Sequence, residues 1–177
     1  MDVDKIKGGR TLRQTMRTNE QIAAIYERNA DSVYRVCMLF FRGRVQDAED
    51  AVQTTFLKLL GNSTRFEGLS HERAWLIVTA SNTCRDMLAS GWSKRVSADE
   101  ERVLAQAAPF QTDETLKSVM ALPERYKAAI YLYYYEGYSC REIARYMKKT
   151  VNSVWGYLHE GRRLLKAAIK EGDDFAE

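Results

Sequence analysis

Apolar positions recur at helical spacing along nearly the whole chain. Ile22, Ile25, Tyr26, Val33, Tyr34, Cys37 and Phe40 recur at helical spacing, the pattern of one apolar helix face. Thr18-Asn19-Glu20-Gln21 is a capping box in front of them and Gly43 breaks the run, so a first helix is predicted up to about Phe41. Val52, Phe56, Leu59 and Leu60 form the buried stripe of a second helix. Asp47 is placed to cap it, with Glu49 and Asp50 joining Asp47 in a first turn where negative charge complements the helix dipole. Gly61 to Ser70 reads as an irregular loop holding Phe66, and a third helix from about His71 to Ser90 carries Trp75, Val78, Cys84 and Leu88.

The pattern resumes from Leu122 to Ile169 with its boundary signals in place. Pro123 opens a helix, because a missing N–H costs nothing in a first turn, and Gly137 ends it by taking the left-handed stop conformation. Ser139-Cys140-Arg141-Glu142 is a second capping box, and a short helix follows through Ile143, Ala144 and Met147. Thr150 then caps a last helix in which Val151, Val154, Leu158 and Leu165 share roughly one face. A short helix, a tight turn and a longer helix with exposed polar and aromatic residues is the helix-turn-helix shape that enters a DNA major groove. No strand-like alternation and no internal repeat is present, so the fold class is all-α.

Composition refines this picture. The 177 residues carry a net charge of only +3, weaker than duplex binding by charge alone would require, so one surface for DNA and another for a second partner is expected. Residues 97–115 hold Asp99, Glu100, Glu101, Asp113 and Glu114 against a lone Arg102, with Pro109 between them. That is a linker by composition, with one helical turn expected over Glu101 to Ala108. The expected organisation is a flexible tail (1–17), a first helical domain (18–95), an acidic linker (96–114), a helix-turn-helix domain (115–171) and a short tail (172–177). Cys37, Cys84 and Cys140 have no CxxC or Cys/His spacing and read as reduced core thiols, the alternatives being a redox or zinc role. No cofactor is expected. No N-terminal run has the make-up of an export signal, and Tyr131 to Tyr135 is far too short to span a bilayer, so a cytoplasmic protein without membrane insertion is expected.

The N-terminal block adds a resemblance. Asp47-Ala48-Glu49-Asp50-Ala51-Val52-Gln53-Thr54-Thr55-Phe56-Leu57-Lys58-Leu59 resembles the core-polymerase-binding helix of bacterial sigma factors of the extracytoplasmic-function group. Arg73-Ala74-Trp75-Leu76-Ile77 and Ala80-Ser81-Asn82 are similar to the promoter-melting helix of that group. Leu122-Pro123-Glu124-Arg125-Tyr126, Tyr135-Glu136-Gly137-Tyr138-Ser139 and Glu142-Ile143-Ala144 resemble its −35-reading domain. Together these blocks cover roughly Tyr26 to Leu165, in the family's order. The resemblance implies core RNA polymerase and promoter DNA, duplex at −35 and melted at −10, as partners, and allows an anti-sigma factor as a third. It places Asp47, Asp50, Gln53, Phe56 and Leu57 toward the polymerase. Phe66, Trp75, Asn82 and Arg85 fall toward the −10 strand, although Trp75 reads first as a core tryptophan and second as a DNA-stacking one. Lys94 and Arg95 are candidate phosphate contacts.

The last helix departs from the family's pattern. Arginine or lysine usually occupies several outward positions, and the matching residues here are Trp155, Gly156, Tyr157 and Glu160. The candidate −35 contacts are Asn152, Ser153, Trp155, Tyr157, His159 and Arg162, with Lys148, Lys149 and Arg163 keeping the neighbourhood positive. Gly156 and Gly161 each cost a helix about 1 kcal/mol relative to alanine, which points either to close backbone approach or to drift. A shifted or weak −35 preference is therefore expected. Two other readings stay open: an autonomous helix-turn-helix regulator, and a degenerate sigma-like protein that holds polymerase without reading a promoter. An enzyme is disfavoured, because His71 and His159 lie in different domains with no nucleophile or carboxylate partner at motif spacing.

Overall fold

The computed structural model describes residues 17–90 and 114–173, and side-chain surroundings for 17–90 and 118–168. The N-terminal tail, the acidic linker with its expected turn, Lys94, Arg95 and the last residues lie outside the described part. Among the described residues every regular element is a helix: α1 (Asn19–Phe41), α2 (Val45–Leu60), α3 (Leu69–Ala89), α4 (Glu114–Ala121), α5 (Glu124–Tyr134), α6 (Cys140–Met147) and α7 (Val151–Asp173).

The first three helices form a bundle. The capping box of α1 is complete: the Gln21 N–H donates to Thr18 Oγ1 at 3.2 Å, and Gln21 Oε1 accepts from the Thr18 N–H at 3.0 Å. Two successive positive φ values, 52° at Arg42 and 84° at Gly43, reverse the chain so sharply that α2 starts at Val45 with Arg44 as its N-cap residue. Asp47 therefore does not cap α2. It lies inside the first turn, 7% exposed, with its carboxylate 3.2 Å from Arg44 Nε. Val33, Cys37, Leu39, Phe41, Ala51, Leu59, Ala74, Ile77, Ala80 and Cys84 fill the space between the helices. Leu60, expected in that stripe, is exposed.

The other four helices pack around Val119, Leu122, Ile130, Ile143, Val154 and Leu158. The helix α4 was not foreseen. The box that opens α6 is closed in both directions between Ser139 and Glu142, Lys148 ends α6 at φ 53°, and Thr150 Oγ1 accepts from the Ser153 N–H at the start of α7. Pro123 acts as the N-cap residue of α5, one position outside the first turn expected for it. Both groups share one continuous apolar core.

Their seam is polar at specific points. Lys127 is 2% exposed and its ammonium donates to the Leu39 carbonyl at 2.9 Å, near the C-terminal end of α1, where unpaired carbonyls and the helix dipole favour a cation. The Tyr138 hydroxyl donates to the Ser70 carbonyl at 2.8 Å and the Tyr131 hydroxyl to the Ser32 carbonyl at 3.4 Å. Arg145 pairs with Glu67 at 2.6 Å, Arg73 with Glu136 at 3.4 Å, and the His71 and Tyr146 rings stack at 5.5 Å.

Candidate nucleic-acid and protein interfaces

A groove of about 580 Å³ runs between α1 and α2, lined among others by Ile22, Tyr26, Tyr34, Val52, Gln53 and Leu57. Gln53 is exposed, Leu57 is 59% exposed and Asp50 is half-buried. Phe56 is only 7% exposed because the Tyr26 ring lies over it, with centroids 4.7 Å apart. The ring visible from outside is thus Tyr26, not Phe56. Of the residues expected to face a protein partner, Gln53 and Leu57 are exposed along the groove, Phe56 forms its floor, Asp50 is half-buried outside its lining and Asp47 is buried. Tyr26, Tyr34 and Leu60 belong to the groove and were read as core; the signal was an apolar set wider than one bundle can bury. Burial, with the charge of Glu49 adding to it, pushes the Tyr34 hydroxyl above its usual pKa.

The second surface combines the α2–α3 loop with α3. Phe66 is half-buried, its ring 5.7 Å from both Trp75 and His71, with the Arg17 guanidinium 4.5 Å from its centroid. Trp75 is half-buried too, so it serves the core and the loop at once. Asn82 and Arg85 are exposed on the outer face of α3 and are hydrogen-bonded to each other, Asn82 Oδ1 accepting from the guanidinium. The Asn82 amide hydrogens face outward chemistry unchanged, as donors. Lys58 donates to Thr83 Oγ1, on the residue after Asn82, at 2.9 Å, and its ammonium lies 4.0 Å from the Asp86 carboxylate.

Behind this face Glu72 is 5% exposed and accepts from Arg28 twice and from Asn29 Nδ2, all at 2.8 Å. Burial alone raises the Glu72 carboxyl pKa, but the hydrogen bonds from Arg28 and Asn29 outweigh it and hold the group below its ordinary value. This fork-to-carboxylate pair locks the start of α3 onto α1 and so fixes the face that carries Asn82.

The third surface is the outward side of α7. Val151, Asn152, Trp155, Gly156, His159, Arg162 and Arg163 are exposed, Trp155 by 51%. Two expected contact residues are occupied inside the domain. Ser153 Oγ shares a hydrogen bond with Thr150 Oγ1 in the cap, and Tyr157 is half-buried with its ring 6.0 Å from Tyr126. Glu160 accepts from Arg163 at 2.7 and 3.0 Å, and this bonding holds its carboxyl below the ordinary value. Its charge is therefore neutralised in place. The two glycines part company: among the described residues nothing lies within 4 Å of a Cβ built on Gly156, whereas one on Gly161 would stand 2.9 Å from Ile130 Cδ1. Close approach explains Gly161. It does not explain Gly156.

Residues 25–94 match the family model for sigma-70 region 2, and residues 113–165 match that for sigma-70 region 4. The chain belongs to the sigma-70 family of sigma factors. Its curated relatives place it in the extracytoplasmic-function group. The sigma factor is 27% identical over 162 residues to the ECF RNA polymerase sigma factor SigL of Mycobacterium tuberculosis, covering 84% of this chain and 88% of SigL. It is 23% identical over 170 residues to SigW of Bacillus subtilis, covering 86% and 90%. It is 28% identical over 131 residues to the RNA polymerase sigma factor CarQ of Myxococcus xanthus, covering 70% and 75%. The α1–α2 groove and the −10 candidates lie in the region 2 match, and the α7 face lies in the region 4 match. No described helix is long and apolar enough to cross a membrane.

Proposed function

We propose that this sigma factor engages core RNA polymerase through the α1–α2 groove, with Gln53, Leu57, Asp50 and Tyr26 as the contact set and Phe56 beneath them. The α2–α3 loop and the outer face of α3 then capture bases of the melted −10 strand, with Phe66 and Trp75 as aromatic surfaces and Asn82, Arg85 and Lys58 as polar ones. Capture must offset a few kcal/mol of unstacking per flipped base, which stacking on aromatic rings can supply. Duplex DNA at −35 is met by Asn152, Trp155, His159 and Arg162 on α7. The protein is a binding subunit of the cytoplasmic transcription machinery, with no chemistry of its own.

The observation that carries this reading is the concave groove with exposed Gln53 and Leu57, on the same chain as an exposed recognition helix. An autonomous regulator has no use for the groove. The seam adds a conformational reading: in the free protein α6 lies over the −10 loop through Arg145–Glu67 and His71–Tyr146. Core polymerase then separates the two halves, and an anti-sigma factor is the class of partner that would oppose separation. With Trp155 and Gly156 where the family usually carries cations, −35 affinity is weak or shifted, and tethering to polymerase supplies the rest as effective concentration.

Run-off transcription tests this: purified protein with bacterial core polymerase on a pool of promoter fragments. Specific transcripts that vanish with Asn82→Ala are expected. Polymerase binding without transcripts would mark a degenerate sigma-like protein instead, a reading that the altered α7 face favours. Duplex binding without any polymerase binding would mark an autonomous regulator.

A further inference from the structure

Arg17 stands directly before the capping box of α1, at a place the sequence assigns to the tail. Its guanidinium crosses to the α2–α3 loop and donates to the Asn62 carbonyl at 2.6 Å and to the Thr64 carbonyl. A longer bond of 3.4 Å reaches the Leu59 carbonyl in the last turn of α2, which also accepts from the Asn62 N–H at 3.1 Å. The same planar group lies 4.5 Å from the centre of the Phe66 ring, a cation–π arrangement. One side chain thus ties the end of α2, the middle of the loop and its aromatic residue together.

These bonds shape a surface loop rather than hold the bundle. Asn62, Thr64 and Phe66 are half-buried and Ser63 and Arg65 are exposed, while the bundle core lies elsewhere. Inside the loop Asn62 Oδ1 accepts from the Thr64 N–H at 3.1 Å and from Thr64 Oγ1 at 2.8 Å. Among the described residues Asn62 Nδ2 is buried without a hydrogen-bond partner.

We propose that Arg17 is a positioning residue for −10 recognition: it holds loop residues 62–66 in the shape that accepts a flipped base, without contacting DNA. This rests on the reading of that loop as the −10 surface. Both terminal nitrogens of Arg17 are already engaged by loop carbonyls and one of its faces by Phe66, so its role is exerted through the loop. Lysine cannot replace it, because a single ammonium lacks the planar fork that reaches several acceptors and stacks.

The test is binding of a single-stranded −10 oligonucleotide, taken from a promoter found by run-off transcription, to holoenzyme made with wild-type, Arg17→Ala or Arg17→Lys protein at several salt concentrations. Both variants are expected to bind on the order of tenfold more weakly, the scale of losing the stacking of one base. Their salt dependence, their affinity for core polymerase and the melting temperature of the free protein are expected to stay at wild-type values. Unchanged oligonucleotide affinity would overturn the proposal. A salt slope lowered by about 0.7, the mark of one lost phosphate contact on a single strand, would make Arg17 a direct contact instead. Core affinity and melting temperature falling together would make it a general fold residue. Wild-type holoenzyme that binds duplex −35 DNA but no −10 single strand would remove the reading of the loop itself, and the proposal with it.

Discussion

The α1–α2 groove and the α7 face are both open to partners, yet they are built on opposite terms. The groove is concave, drawn from two helices, with Phe56 packed under Tyr26 and Leu57 standing free on the rim. The α7 face is convex and comes from one helix, seated by Val154 and Leu158 below and by Gly161 where it crosses α5. A concave, pre-packed apolar surface can carry affinity by itself, because a few desolvated residues at its centre hold most of the binding energy. A convex face with one large exposed ring adds specificity to a contact made elsewhere. On the proposed assignment of these surfaces, polymerase would be the anchor and the −35 element the secondary contact.

The sharpest way to break that contrast is Leu57→Asp. Placing a carboxylate on the apolar lining of the groove is expected to weaken core polymerase binding about 100-fold, the scale of an apolar anchor residue at about 1.4 kcal/mol per decade, with the melting temperature held. Asp47→Ala is expected to do the reverse. It removes the buried partner of Arg44, so it lowers the melting temperature before it touches polymerase affinity. Titration of core polymerase against each labelled variant separates the two. Equal losses from both would mean that the groove is not the contact surface.

The seat of α7 is tested next by Gly161→Val. Even a Cβ there meets the Ile130 side chain at 2.9 and 3.0 Å and Tyr126 Cβ at 3.6 Å. Ile130 is itself 1% exposed and has nowhere to go. Overpacking of this kind costs about 2 kcal/mol, and denaturant unfolding should show it. An unchanged midpoint would mean that α5 and α7 do not cross as closely as described.

Much of this was legible in the sequence where a signal is local. The boxes at Thr18–Gln21 and Ser139–Glu142, and the stops at Gly43 and Gly137, each act within a few residues, and the helices begin and end beside them. What failed involved partners distant in the chain. Asp47 looked like a cap because nothing in sequence reveals that Arg42 and Gly43 turn the chain so tightly that the helix begins before it. Lys127 looks like any solvated helix cation, although it meets the end of α1 across 88 residues. Arg17 was assigned to a tail because its acceptors are carbonyls of the α2–α3 loop, and main-chain acceptors leave no trace in residue identity. The helix α4 was hidden behind an acidic stretch whose composition spoke for a linker.

Lys127 also gives the seam a pH dependence. Burial lowers its pKa to about 8 from the ordinary 10.5, with the charge of Arg42 adding to the effect. Between those two values the separated form holds a proton that the seam form has lost. Closure is therefore favoured as pH rises through that window, and below about 8 both forms are protonated and the slope fades. One proton is worth at most about 1.4 kcal/mol per pH unit, so a gain of about 1 kcal/mol from pH 7 to 9 is expected in the separation of donor and acceptor dyes placed on α2 and α7. Lys127→Met should flatten the profile. A wild-type profile already flat would show that the lysine is not buried in the free protein.

Gly156→Ala is the smallest change and isolates what is peculiar to the α7 face. Glycine in a helix interior costs about 1 kcal/mol relative to alanine, and among the described residues a methyl group at this position meets nothing within 4 Å. The substitution should therefore stabilise the protein by up to about 1 kcal/mol, in contrast to the loss expected at Gly161 five residues on. If the bare backbone beside Trp155 serves DNA, the same alanine will weaken binding to the selected −35 duplex while the midpoint of unfolding rises. A rise in stability with −35 affinity unchanged would assign Gly156 no part in recognition and leave Trp155, Asn152 and His159 to read the groove from an ordinary helix surface. The two measurements together decide whether the departure from the family's basic pattern is a new way of approaching DNA or only the loss of an old one.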